Sequence, residues 1–280
     1  MRRHFRRLIA LPALLLPLLA QAGVRLVVDG VNDPLKGAVT SAVDLSQYAT
    51  SEVSAAQLRR LVERAPAQVS ATLRPYGYYE ATARGELKQT GPHDWQVTVH
   101  VQPGVPVKVT SVQLDLDPAV AALASIRRAK RAIEKLQGQV LNDSSYEAAR
   151  DAMSAALTAN GYLGAQLKTH RVAVNRGQHS AAVQLAWHTG PRYRFGQVHF
   201  EGSQFREGFL ERYVPFKRGE YFVQNDLLLL QEALTGADYF SVVNVLPDVH
   251  DAQGGVVDVN VQLVPAKRSI YTGGPFVGTD

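Results

Sequence analysis

The chain of 280 residues contains no cysteine. No disulfide can therefore staple a small core, and no thiol is present to carry a lipid anchor. Any domain it forms must be held by apolar packing. Long apolar runs are equally scarce. Only Leu8 to Ala20 forms one; it follows Arg2, Arg3, Arg6 and Arg7 and ends at Ala20-Gln21-Ala22, a small-residue cleavage pattern. It is too short for an ordinary membrane span and contains Pro12 and Pro17. Residues 1–22 read as a secretory signal peptide, so the mature chain is expected to be exported and to begin at Gly23. Its removal takes four arginines and no acid, and the formal charge falls from +5 to +1. That is not the concentrated basic face that nucleic-acid binding needs. Arg127, Arg128, Lys130, Arg131 and Lys135 lie along one helical pattern and read as a solvated helix face.

Catalytic and cofactor motifs are also missing. Nothing matches H-E-x-x-H, G-x-S-x-G, a P-loop or G-x-G-x-x-G. His170, His179 and His188 are evenly spaced, but a hairpin centred on Arg176 puts His170 opposite about Ala182 and His179 opposite about Ala173. They do not face one another, so no metal site is expected. The carboxylates are scattered, with no evident pair. No catalytic residue, cofactor or metal is assigned.

What the chain does contain is one unit written three times, a pattern that takes priority in reading any sequence. Gly104, Val107, Val109, Val112 and Leu114 recur 86 positions later as Gly190, Tyr193, Phe195, Val198 and Phe200. Val97, Val99 and Val101 recur as Val183, Leu185 and Trp187, and again as Val259, Val261 and Leu263. Each copy carries one kind of helix end: Leu73 to Tyr79 (LRPYGYY), Leu157 to Leu163 (LTANGYL) and Leu234 to Phe240 (LTGADYF).

Within each copy the pattern predicts strand, helix, helix, strand, strand. In the first, Val24, Leu26 and Val28 open a strand, and a short helix is expected near 34–42. Leu58, Leu61, Val62, Ala65, Val69 and Leu73 mark one face of a longer helix. Ser54 and Gln57 form its capping box, Pro66 should kink it, and Gly77 should end it. Hairpin turns are expected at Gly91 to Asp94, Asn175 to Gly177 and Asp251 to Gly255. In the second copy Ser144 and Glu147 are read as the capping box, ahead of a buried stripe of Tyr146, Ala149, Met153 and Leu157. Asn142-Asp143-Ser144 matches a glycosylation sequon but reads better as the lead-in to that cap. Leu227, Leu230 and Leu234 form the stripe of the third copy. The opening strands of copies two and three change phase midway, between Val109 and Val112 and between Phe195 and Val198, which predicts a β-bulge. Tyr78, Tyr162 and Tyr239 are expected to seal the seam between helix and sheet. The fold class is α+β: three tandem two-layer sandwiches, each a three-stranded sheet covered by two helices. The expected bounds are 23–104, 105–190 and 191–266.

These motifs resemble POTRA domains, the periplasmic modules of the outer-membrane insertase superfamily. The resemblance rests on Leu73 to Ala81 with its two echoes, and on the joints Pro103-Gly104-Val105-Pro106-Val107 and Thr189-Gly190-Pro191-Arg192-Tyr193. Three copies with the Gly-Tyr-Tyr form are most similar to the translocation-and-assembly-module (TamA) branch. Family members continue into a β-barrel, and residues 267–280 look like the opening of a first barrel strand. The resemblance implies a non-enzymatic periplasmic arm with no cofactor, touching the membrane only through that barrel. It implies TamB-like periplasmic partners and unfolded outer-membrane clients, bound by β-augmentation at a sheet edge. It also implies that the strand after the second helix is that edge, which singles out Tyr79, Glu80, Ala81, Thr82, Ala83, Arg84 and Gly85, with 165–174 and 242–246 as its counterparts. Other readings are the arm of a BamA-type insertase or two-partner secretion transporter, a cell-division module of the same fold, and an exported enzyme or small-ligand binder. The last of these requires a deep pocket with convergent polar groups.

Overall fold

The computed structural model describes residues 23–48, 53–92, 94–206, 208–249 and 254–266. The expected signal peptide, the segment 267–280 and most of the turn at 251–255 lie outside the described residues. The chain forms three separate three-stranded sheets. The first copy contributes β1 (Val24–Asp29), α1 (Leu35–Ala42), α2 (Ala55–Leu73), β2 (Thr82–Gln89) and β3 (Trp95–Gln102). The second contributes β4 (Lys108–Asp115), α3 (Pro118–Ala121), α4 (Ala124–Glu134), α5 (Asp143–Ala159), β5 (Gln166–Asn175) and β6 (Ser180–His188). The third contributes β7 (Arg194–Glu201), α6 (Gln224–Thr235), β8 (Phe240–Asp248) and β9 (Val256–Pro265).

Every sheet has the same order. The last strand of the copy is central, parallel to the first and antiparallel to the second. The central strands alternate strictly, and their inward residues are buried: Val97, Val99 and Val101 in β3, Val183, Leu185 and Trp187 in β6, Val259, Val261 and Leu263 in β9. The helical stripes meet them. Leu58, Leu61, Ala65, Val69 and Leu73 are buried in α2; Ala149, Met153 and Leu157 in α5; Leu227, Leu230 and Leu234 in α6. The expected bulges occur between Val109 and Ser111 and between Phe195 and Val198. By compactness the first copy forms one unit, and copies two and three, with 75–77, form another.

Local chemistry departs from the expected pattern at four places. The cap of α5 is Asn142, whose side chain accepts the Ser145 amide at 3.0 Å, so Ser144 lies inside the helix. Asparagine caps as well as serine, and the first capable residue in extended geometry takes the position. Ser54 does cap α2, accepting the Gln57 amide at 3.2 Å, and Pro66 sits inside that helix without ending it. In the third copy a single 3-10 turn, Glu211–Tyr213, stands where the other copies place an α-helix. Gly208, Pro215 and Gly219 flank it and disfavour a longer helix. Phenylalanines fill the volume instead: Phe195 stacks on Phe216 with ring centroids 3.7 Å apart, and Phe222 lies 5.0 Å from Phe195. The β5–β6 hairpin turns later than expected, through 176–178, so His170 lies opposite Leu185 and His179 sits in the turn at φ +47°. Lastly, Tyr162 is buried and Tyr78 packs on its core, but Tyr239 is 36% exposed and meets Phe205 edge-on at 4.9 Å.

Candidate docking edges

A three-stranded sheet has two edges, and the backbone hydrogen bonds show which are taken. In the second copy the outer edge of β4 is covered by the chain's own segment 138–141. Leu141 donates to the Val107 carbonyl at 2.8 Å, Val109 to Gln139 at 2.9 Å and Gly138 to Val109 at 2.7 Å. The third copy repeats this arrangement at β7. Phe222 donates to Tyr193 at 3.0 Å, Phe195 to Glu220 at 2.9 Å and Gly219 to Phe195 at 2.8 Å. The opposite edges, β2, β5 and β8, and in the first copy β1 as well, pair with the central strand alone among the described residues. Each leaves a row of backbone donors and acceptors facing outward, the feature that templates an added strand.

The β2, β5 and β8 edges carry different side chains. On β2, Thr82 and Arg84 are exposed, while Ala83 and Gly85 are half-covered on the helix side. Tyr79 and Glu80 lie in the turn ahead of the strand, and Ala81 is buried before it begins. Four of the seven expected edge residues, Thr82 to Gly85, therefore lie on the strand; the helix end needs the other three to turn the chain. On its solvent face the first sheet holds His100 between Asp29, at 2.8 Å, and Glu86, at 3.6 Å. These groups are 42–56% exposed, so water screens the pairs and they contribute little. β5 carries Lys168, His170 and Arg171 and no acid. β8 is uncharged from Phe240 to Pro247 and exposes Val242 and Leu246. Pro247 lacks an amide donor, which suits an edge strand and limits its usable length.

Little else in the structure suggests chemistry. An open cavity of about 830 Å³ lies between α4 and α5, lined chiefly by Ala132, Leu136, Val140, Ala148 and Ala149, with Lys135, Gln139 and Ser145 as its polar residues and no carboxylate. His188 lies opposite Gln166 at one end of the β5–β6 pair, and the register separates it from His170 and His179. Two carboxyls are perturbed. Asp143 is pushed up by partial burial and then by Glu147, and Asp226 by partial burial and then by Glu220. The Tyr146 hydroxyl is buried without a hydrogen-bond partner among the described residues, and burial raises its pKa.

Comparison with known families gives two matches. A model for the first POTRA domain of TamA matches residues 25–103. A POTRA model described as a surface antigen variable number repeat matches residues 193–266. Among solved structures, BamA POTRA domains 3–5 from Haemophilus influenzae are 16% identical with a TM-score of 0.46, covering 88% of this chain and 96% of that one. POTRA domains 1–3 of Omp85 from Anabaena are 17% identical with a TM-score of 0.33, covering 88% and 95%. CdiB from Escherichia coli is 17% identical with a TM-score of 0.33, covering 59% of this chain and 28% of that one. The family models, not these distant likenesses, carry the assignment.

Proposed function

This chain belongs to the POTRA-domain family, and from that premise we propose that it is the periplasmic, non-enzymatic arm of an outer-membrane protein assembly factor of the TamA type. It binds a TamB-like partner and unfolded client strands by β-augmentation. The observation that carries this reading is the asymmetry of the second and third sheets: segments of the chain itself close β4 and β7, whereas β5, β8 and both edges of the first sheet stay vacant among the described residues. Main-chain pairing at such an edge supplies affinity, and side chains read sequence only weakly, which suits a module serving varied clients. The polar strip Thr82, Ala83, Arg84 and Gly85 is one such edge, and its small residues let a visiting backbone approach.

Thr82→Pro tests this. Proline removes one amide donor at the start of β2. With that amide facing outward, capture of a purified TamB-like partner is expected to fall while the circular dichroism spectrum is unchanged. Loss of the spectrum would show that the Thr82 amide serves the sheet. Unchanged capture after equivalent proline substitutions on β1, β2, β5 and β8 would refute strand addition.

A further inference from the structure

The β2, β5 and β8 edges are not equivalent, and the difference lies at one matched position. The residues facing Val99, Leu185 and Val261 across the hairpins are Gly85, His170 and Val245. Gly85 sits under α2: a Cβ there would lie 2.5 Å from Val62 Cγ1 and 3.2 Å from the Val62 carbonyl oxygen. Val245 is buried at 9% exposure. His170 is exposed. The helix closes over the edge strand in copies one and three, whereas α5 packs on α4 and makes no comparable approach to β5.

Along β5 the core-facing row is Leu167, His170, Val172 and Val174. Its partners on the central strand, Trp187, Leu185, Val183 and Ala181, are all buried, whereas Leu167, Val172 and Val174 are half-buried and His170 is exposed. Here a vacant backbone edge runs beside a half-covered apolar strip. An added strand would pair with β5 and lay alternate side chains over Leu167, Val172 and Val174.

Charge selects the occupant. From Gln166 to Gln178 the chain has Lys168, His170, Arg171 and Arg176 and no carboxylate. Of the acids outside this stretch, Asp151 on α5 is paired with Arg150 at 2.9 Å, while Asp115 on β4 shares a pocket with Thr169, across Ala186 from it; Lys168 and Arg171 outnumber that one carboxylate. Building on the strand-addition reading above, we infer that the β5 edge of the second copy is the docking site for an extended acidic segment, with apolar residues at alternate positions and Asp or Glu between them. Such a segment pairs its backbone with β5, buries its apolar face on the strip and sets its carboxylates against Lys168 and Arg171.

The test uses two labelled peptides of alternating valine and glutamate, or valine and lysine. The protein carries benzoylphenylalanine in place of Arg25, Arg84, Thr169 or Asn244, one position on each vacant edge. The glutamate peptide is expected to cross-link at position 169, to bind in fluorescence anisotropy more tightly than the lysine peptide, and to lose affinity about tenfold in Lys168→Glu/Arg171→Glu. The lysine peptide should gain on that same variant. Both replaced side chains are exposed, so an unchanged circular dichroism spectrum confirms the fold. Equal binding of both peptides, or cross-links confined to positions 25, 84 or 244, would overturn the assignment to β5 and leave strand addition standing. Absence of cross-links at every edge would remove both.

Discussion

The carbonyl of Gly161 accepts the amide of Tyr193 at 2.8 Å, joining the helix end of one copy to the opening strand of the next. The first joint has the same bond, from Val107 to Gly77 at 2.9 Å. These glycines do more than end a helix. Gly161 has φ +89°, and a Cβ there would stand 2.8 Å from the Phe222 carbonyl oxygen, on the strip that closes β7. Arg192 clasps the same joint: its Nε donates to the Asn160 carbonyl at 2.8 Å, and its guanidinium lies 4.3 Å from the centre of the Tyr221 ring.

Gly161→Ala should therefore cost more than backbone strain. Gly138 provides the control, with φ +83° and nothing within 4 Å of its notional Cβ. Each substitution incurs about 1–2 kcal/mol for a left-handed alanine. Gly161→Ala adds about 1–3 kcal/mol because the Phe222 backbone must move. Thermal unfolding should show the larger loss of Tm in Gly161→Ala. Equal losses would mean that the joint yields freely.

Gly85→Ala probes the closure of α2 over β2. The added methyl meets Val62 on a helix already packed by Leu58, Leu61 and Ala65. The expected cost is about 1–3 kcal/mol, and it should be confined to the first copy. Amide exchange read by mass spectrometry should quicken in α2 and β2 and stay unchanged in α6 and β8. A neutral outcome would mean that α2 lifts from β2 without penalty, and the contrast drawn between β2 and β5 would weaken with it.

The sheets and helices were legible because burial imposes a period. Leu58, Leu61, Ala65, Val69 and Leu73 repeat at helical spacing because each meets the sheet. Val97, Val99 and Val101 alternate because one face of β3 is core. The bulges in β4 and β7 showed themselves as a change of parity, since an extra residue turns every later side chain over. The α5 cap was misread because Ser144 and Glu147 fit a capping pattern that Asn142 pre-empts two residues earlier. The short first helix of copy three gave way to a 3-10 turn because aromatic bulk, not a helical face, fills that side of the core.

The vacant edges were less legible. Residues 138–141 and 219–222 close β4 and β7 by main-chain bonds from loops, which leave no periodic trace in side-chain type. The edge position of β2 is what the family resemblance implies, and the strand itself begins at Thr82, three residues after Tyr79. The difference between Gly85 and His170 was visible as two letters, but its meaning required knowing that both stand opposite the same core position.

Stability should also respond to two carboxyls at helix starts. Asp143 opens α5, and Asp226 lies in the first turn of α6. A helix N-terminus favours the charged form, yet both carboxyls are raised, by partial burial first and then by Glu147 or Glu220. Desolvation and the neighbouring acid act against the helix field. A carboxyl raised above its unfolded value holds its proton more tightly in the native state, so stability declines as pH climbs from the ordinary carboxylate value through the raised one. Asp143→Asn/Asp226→Asn should flatten that decline and leave the protein slightly more stable than its parent above the window. Below it, where both acids are protonated, the difference should vanish. Solvent around these groups keeps the gain under about 1 kcal/mol. Urea midpoints followed across the carboxylate range and up to neutrality provide the measurement. A double variant less stable than its parent at neutral pH would mean that charge–dipole attraction at these helix starts exceeds the desolvation they suffer.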